Sequence, residues 1–280
     1  MTRGLRIDTT PSDVEVVSDR LWAFGATAIS EEWRNDGTVI LRTALGEDRD
    51  LVASLLKREL PDAVWIEEEI DLSVADTWKD HVSVVEATDR LWVRPAWIGT
   101  ATTSVPSGVS VISIDPGPTF GLGDHPTTRG SLQLLSDVVA DDSTILDVGC
   151  GSGVLGIAAL VLGARRAVGT DITPAAIETS LNNAEVNGVA DRWSVTLEPL
   201  EVFGEPFDVV VANILAPTLI ELSEQLRRLA GRHLIVSGVL NGHDAHVHQA
   251  LEPFVEVHRV VIDGWASSLL MRPGSLTRPD

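Results

Sequence analysis

Residues Ile145 to Asp171 read ILDVGCGSGVLGIAALVLGARRAVGTD. An apolar run leads into Asp147, glycines stand at 149, 151, 153 and 156, an apolar segment of helical length follows, and a second short run ends on Asp171. A strand, a glycine-rich turn, a helix and a parallel strand ending in an acid describe a nucleotide-type site. Gly151-Ser152-Gly153-Val154-Leu155-Gly156, with Asp171 about 20 residues on, satisfies the dinucleotide fingerprint. As a lone match it leaves the nucleotide open.

Working outward, the chain after this stretch alternates strand and helix. Strands are expected at 144–149, 167–171, 194–199, 207–213 and 232–238, with helices at 153–163, 174–187, 216–229 and 242–252. Strands joined by helical crossovers require a parallel sheet covered on both faces. The last two strand-like runs, EVHRVVID and WASSLLMRP, are joined only by Asp263-Gly264, which makes them an antiparallel hairpin at the sheet edge and brings the strand count to seven. The fold class is therefore α/β, a doubly wound, Rossmann-like sheet.

Before the stretch, LWVRPAWI and VSVISIDP read as strands, and the loop DPGPTFGLGDHPTTRG leads to a helix that Thr127 or Thr128 is expected to cap. The first 71 residues follow the order β-α-β-β-α-β, with Val14, Val17, Leu21 and Phe24 at helical spacing, a hairpin at Asn35-Asp36-Gly37 and a leucine-rich helix from about residue 47. That order is the ferredoxin-like α+β pattern. It gives a small domain at 1–71, a linker at 72–90, helical at its start, and the larger domain at 91–280. Trp22, Trp33 and Trp65 read as core or face residues.

The formal charge of -20 excludes a surface that grips phosphates through clustered Lys and Arg, so direct nucleic-acid binding is not expected. The acidity is denser in residues 1–72, net -8, than in the other 208, net -12. It suits steering of a basic protein as well as solubility alone. No apolar run reaches the length of a membrane span, and the N-terminus lacks a signal-peptide apolar segment, so a cytoplasmic protein is expected. The single cysteine, Cys150, forms no internal disulfide, and a nucleophilic role would need a nearby base. His243, His246 and His248 do not share one helix face, so no metal is expected.

Three features move the nucleotide toward S-adenosylmethionine. Asp147 precedes the first glycine by two residues, giving D-x-G-x-G-x-G; the sheet ends in a hairpin; and Asn213-Ile214-Leu215 follows the fourth strand, at the carboxyl edge where an amine acceptor could be held. Asp147 is expected to hold the turn by accepting backbone N–H bonds. The runs FGLGDHPTT, DVGCGSGVLGIAALVLGA, VGTDITPAAIETSLNNAEVNGV and FDVVVANILAPTLIEL resemble the PrmA family, bacterial methyltransferases that modify ribosomal protein eleven of the large subunit.

The resemblance implies a class I, S-adenosylmethionine-dependent protein methyltransferase acting on lysine or N-terminal amines of that basic ribosomal protein. It implies cofactor contacts from Thr128 and Gly149, with Gly151 in the same turn and Phe120 lining the site. Asp171 is implied on the ribose hydroxyls, and Asn213 near both the methyl donor and the target amine. The chain departs from the family loop FGTGTHPTT at Leu122 and Asp124. Those departures leave room for the same chemistry on another protein or a small amine. A dinucleotide-dependent oxidoreductase resting on GSGVLG, and a non-catalytic binding protein, are the readings from other classes. His125 is the one candidate general base, set against a structural role in its loop.

Overall fold

The computed structural model describes residues 2–11, 13–14, 17–18, 21, 26–34, 36–45, 64–70, 82–99 and 104–273, which fall into two units. The first contains Met1–Val82 and Gly117–Phe120, the second Ser83–Pro116 and Gly121–Asp280.

In the first unit, strands β1 (Thr2–Thr9), β2 (Ala26–Trp33), β3 (Val39–Leu45) and β4 (Val64–Ile70) form an antiparallel sheet in the order β2-β3-β1-β4. This is the order that the ferredoxin-like pattern demands, with the first and third strands central. Period-two alternation buries Leu5 and Ile7, while Arg6 and Asp8 pair with each other at 2.8 Å between them. The expected hairpin closes through the Arg34 N–H donating to the Thr38 carbonyl at 3.0 Å, with Gly37 at φ 85°. Val14, Val17 and Leu21 are helical and buried, as their spacing predicts. Phe24, Trp22, the side chain of Trp65, the leucine-rich helix from residue 47 and the start of the linker lie outside the described residues. Trp33 is an exposed face residue.

The second unit opens with a three-stranded sheet, β5 (Val85–Glu86), β6 (Leu91–Pro95) and β7 (Ser110–Ile114), in which β6 and β7 run parallel. The large sheet comprises β8 (Thr144–Val148), β9 (Arg166–Thr170), β10 (Trp193–Thr196), β11 (Phe207–Asn213), β12 (Ala230–Leu240), β13 (Val255–Ile262) and β14 (Trp265–Met271). Its order is β10-β9-β8-β11-β12-β14-β13, parallel except for β14. The expected hairpin is present, and it inserts its second strand between β12 and β13.

Helices α1 (Pro126–Val138), α2 (Val154–Val161) and α3 (Pro174–Val186) form one layer, and α4 (Ala216–Glu221), α5 (Ser223–Leu229) and α6 (Ala245–Ala250) the other. Between sheet and second layer, Val148, Val210, Leu234, Leu219, Leu226 and Leu251 form a core cluster. Each such side chain contributes roughly 1.5–3 kcal/mol relative to exposure. Because β8 runs toward β9 and β10 on one side and β11 and β12 on the other, strand order reverses between β8 and β11. A ligand crevice is expected at that carboxyl edge.

Three details correct the sequence reading. The 216–229 helix is two, interrupted at Leu222, whose ψ of 3° departs from helical geometry. Strand β10 stops at Thr196, where the Thr196 hydroxyl accepts the Glu198 N–H at 3.0 Å and Pro199 follows. The cap of α1 is His125 rather than a threonine: its ring Nδ1 accepts from the Thr127 N–H at 3.3 Å, and Pro126 occupies the first turn, where its missing N–H has no cost.

Candidate active site

At the end of β8 the chain turns through Gly149, Gly151 and Gly153, all at positive φ. The Gly149 and Cys150 N–H groups donate to the Thr170 carbonyl at 2.8 and 3.1 Å, which locks the turn onto the end of β9. Asp171, one residue further, accepts the Gly151 N–H on Oδ2 at 2.9 Å and the Thr173 N–H on Oδ1 at 2.8 Å. Its half-buried carboxylate is thereby oriented and keeps lone pairs for further donors. Gly156 permits close packing rather than ligand approach, since a Cβ there would stand 2.2 Å from the Trp193 ring.

Asp147 lies beneath this turn, fully enclosed. Its Oδ2 accepts the Gly156 N–H at 2.9 Å, the turn-holding role expected of it, while its Oδ1 is buried with no hydrogen-bond partner among the described residues. Burial pushes its pKa up to about 7, against the Gly156 N–H bond, and the neighbouring Asp171 charge adds to the rise. The buried Cys150 thiol is held well above its usual range by desolvation and by the charges of Asp147 and Asp171. Burial and this upward shift both disfavour the thiolate that a nucleophilic role requires.

Across the switch point, two residues that stand 85 apart in sequence meet. Asn213 ends β11, Thr128 sits fully buried in the first turn of α1, and the Asn213 Nδ2 donates to the Thr128 Oγ1 at 3.4 Å. His125 is spent on structure: Nδ1 faces the Thr127 hydroxyl at 2.8 Å, the ring packs edge-on against Trp265, and burial lowers its pKa despite Asp124. Asp124 is exposed, whereas Leu122 is buried.

Several supporting residues escape a motif reading. The Ser152 hydroxyl donates to the Gly121 carbonyl at 2.6 Å, and the Asn183 Nδ2 donates to the carbonyls of Ser152 and Asp115 at 2.9 and 2.8 Å. These bonds tie Asp115 and Gly121 to the turn. The signal lies in α3, whose buried positions Ala176, Ser180, Asn183 and Ala184 are small or amide-bearing at helical spacing. Ile172, directly after Asp171, is 84% exposed. Phe120 is exposed and belongs to the first unit, whereas the turn belongs to the second.

Two other features are separate. A cavity of about 550 Å³ is lined by Arg166, Val168, Val195, Phe203 and Phe207 and by none of the turn residues. Of the three histidines weighed as a metal cluster, His248 stands with Asp244 and Glu256, all with ligand atoms within 4.8 Å. The Arg259 guanidinium bonds both Asp244 and Glu256, so a side-chain cation already engages both acids.

Comparison with known proteins points to one family. A family model described as ribosomal protein L11 methyltransferase (PrmA) matches residues 44–272. The "Ribosomal protein L11 methyltransferase" of Glaesserella parasuis serovar 5 is 37% identical over 84% of this chain and 86% of that protein. The Escherichia coli O8 protein of the same name is 37% identical over 90% and 94%. A crystal structure of ribosomal protein L11 methylase from Lactobacillus delbrueckii subsp. bulgaricus superposes with a TM-score of 0.62 at 28% identity, covering 68% of this chain and 98% of that one. The oxidoreductase reading of GSGVLG is thereby set aside. With the turn, the acid after β9 and the Asn213 strand end in one sheet edge, the chain belongs to the ribosomal protein L11 methyltransferase (PrmA) family, enzymes whose methyl donor is S-adenosylmethionine.

Proposed function

We propose that this chain methylates lysine or N-terminal amines of ribosomal protein L11, in the cytoplasm, using the edge between β8 and β11 as its catalytic site. The observation that carries the reading is the Asn213–Thr128 contact at the topological switch point, beside the turn that Asp171 orients.

The residues present suit the donor. Asp171 offers oriented carboxylate oxygens to ribose hydroxyls, and Gly149 and Gly151 bring bare backbone to the ligand. Ile172 offers an apolar surface to a base. S-adenosylmethionine supplies a methyl group on a sulfonium, ready for displacement.

The chain's share of the chemistry is alignment. An attacking amine must be neutral and about 3 Å from the methyl carbon, in line with the leaving sulfur. Because Asn213 spends its Nδ2 on Thr128, its Oδ1 is left to accept an N–H of the amine and aim the lone pair. Desolvation in the crevice lowers the ammonium pKa and helps release the proton. With His125 engaged as a cap, that proton passes to solvent. Because positive charge would be transferred rather than created with the donor bound, these residues need supply alignment and no oxyanion-type hole.

Incubation of the purified chain with labelled S-adenosylmethionine and a ribosomal-protein mixture tests the proposal. Label on L11, mapped by mass spectrometry to amines, is expected. Label on a different protein or on a small amine transfers the chemistry to another acceptor, and absence of transfer to every acceptor overturns it.

A further inference from the structure

We propose that the bulge of β12 at Ser237 and Gly238 is the positioning element of the amine site, holding the start of α1 and the end of β11 in register with each other. The inference rests on the assignment of Thr128 and Asn213 made above.

At 3.4 Å the Asn213–Thr128 bond is too long to hold two elements together by itself. Something stiffer must set their separation. Strand β12 pairs in parallel with β11 up to Asn213 opposite Ser237, and its register against β14 shifts between Val236 and Val239. A bulge bends the strand and re-aims its residues. Here it presents two consecutive residues to two different partners.

Ser237 faces α1. It is fully buried, its hydroxyl lies 3.2 Å from the Thr127 carbonyl and 2.6 Å from the Ser267 hydroxyl, and Thr127 is the neighbour of Thr128. Gly238 faces the residue after Asn213. At φ 88°, a Cβ on it would stand 2.3 Å from the Ile214 carbonyl oxygen and 2.8 Å from its carbon, so only glycine allows this approach to backbone. From the other side, a Cβ on Gly149 would meet the Ile214 Cγ2 at 2.5 Å. Ile214 is thus gripped between β12 and the cofactor turn, and Asn213 inherits its placement. Neither Ser237 nor Gly238 needs to touch a reactant; both act through their neighbours.

The serine pair isolates this role. Ser237→Ala and Ser267→Ala both delete the bond between the two hydroxyls, yet only Ser237→Ala deletes the contact to the Thr127 carbonyl, together with a longer one to the Ala266 carbonyl at 3.5 Å. For Ser237→Ala we expect kcat to fall about tenfold while the dissociation constant of S-adenosylhomocysteine stays within about twofold; Ser267→Ala should keep kcat within about twofold. Gly238→Ala, where it folds, should lower kcat about a hundredfold, the scale of a 1 Å misplacement. Independently of any acceptor, the Thr128 amide and Asn213 side-chain amide resonances should shift in Ser237→Ala and stay in place in Ser267→Ala. Equal losses in the two serine variants, or a Ser237→Ala loss shared by cofactor affinity, would overturn the proposal. If the wild-type chain methylates nothing, the functional reading fails, and the resonance comparison still decides whether the bulge holds the pair.

Discussion

On the β8–β9 side of the carboxyl edge, most of the contacts that shape the site come from one stretch of chain, with Asn183 of α3 and Gly121 joining it at Ser152. The Gly149 and Cys150 N–H groups donate to the Thr170 carbonyl, the Gly151 N–H to the Asp171 carboxylate, and Asp147 accepts the Gly156 N–H. On the β11–β12 side, Asn213 meets Thr128, and Ser237 meets Thr127 across 110 residues, through side chains. The first side is a local loop whose main-chain N–H groups are held by the Thr170 carbonyl and by the carboxylates of Asp171 and Asp147. The second is an assembly in which each side chain is individually replaceable. The contrast teaches that donor binding and acceptor alignment should fail separately.

The sharpest way to break this separation is Asn213→Ala. Loss of the acceptor-facing oxygen should lower kcat by about 10²–10³-fold, with affinity for S-adenosylhomocysteine changed only a few-fold, as read by single-turnover kinetics and calorimetry. Comparable losses in both would merge the two sides into one. Asp171→Ala probes the other side: loss of charged hydrogen bonds, each about 1.5–3 kcal/mol, should weaken S-adenosylhomocysteine binding by roughly 10–100-fold and leave kcat at saturating donor within a few-fold.

A pH series sharpens the description of the turn itself. The folded-state pKa of Asp147, about 7, lies above its ordinary 3.8. The folded protein therefore binds this proton more tightly than the unfolded chain, and the associated stability, full below the ordinary value, is lost as pH rises through about 7. Denaturant titrations at pH 5 and pH 8 should show Asp147→Asn gaining on the wild type with rising pH. The gain should reach up to a few kcal/mol, because each tenfold difference in proton affinity between folded and unfolded chain corresponds to about 1.4 kcal/mol. A constant difference between the two proteins would contradict the buried, neutral acid. The smallest effect is expected from His125→Ala. Loss of the α1 cap should cost about 1 kcal/mol, seen as a drop of a few degrees in melting temperature, without a change in the pH dependence of turnover if His125 is no base.

Much of the fold is legible in the sequence because its signals are local. Alternating apolar runs and helical periodicity mark the five parallel strands and the closing hairpin, and Asn35-Asp36-Gly37 marks the first unit's turn. Asp171 and Asp147 are legible for the same reason, each acting within its own stretch. The cap of α1 escapes a sequence reading because a hydroxyl usually does this work. Here Pro126 takes the first turn and pushes the cap back to His125, whose imidazole nitrogen serves as well. The Leu222 interruption leaves no mark in the apolar pattern, which runs through it.

Asn213 and Thr128 could be named from a motif, yet nothing in either motif says that the two side chains touch. Ser237, Gly238 and Asn183 carry no motif, and their roles arise from what lies across from them: the Thr127 carbonyl, the Ile214 backbone, the Asp115 and Ser152 carbonyls.

The amino-acid sequence by itself determined the turn, its acids, the alternation that builds a doubly wound sheet and the kind of donor such a turn accepts. These depend on residues within about one crossover of each other, whose spacing alone settles which groups can meet. Only the tertiary structure decided which hydroxyl faces Asn213, which nitrogen caps α1 and which glycine must stay a glycine. Those outcomes depend on strand order and on a bulge that shifts the register of β12 against β14, properties that arise only when distant segments pack.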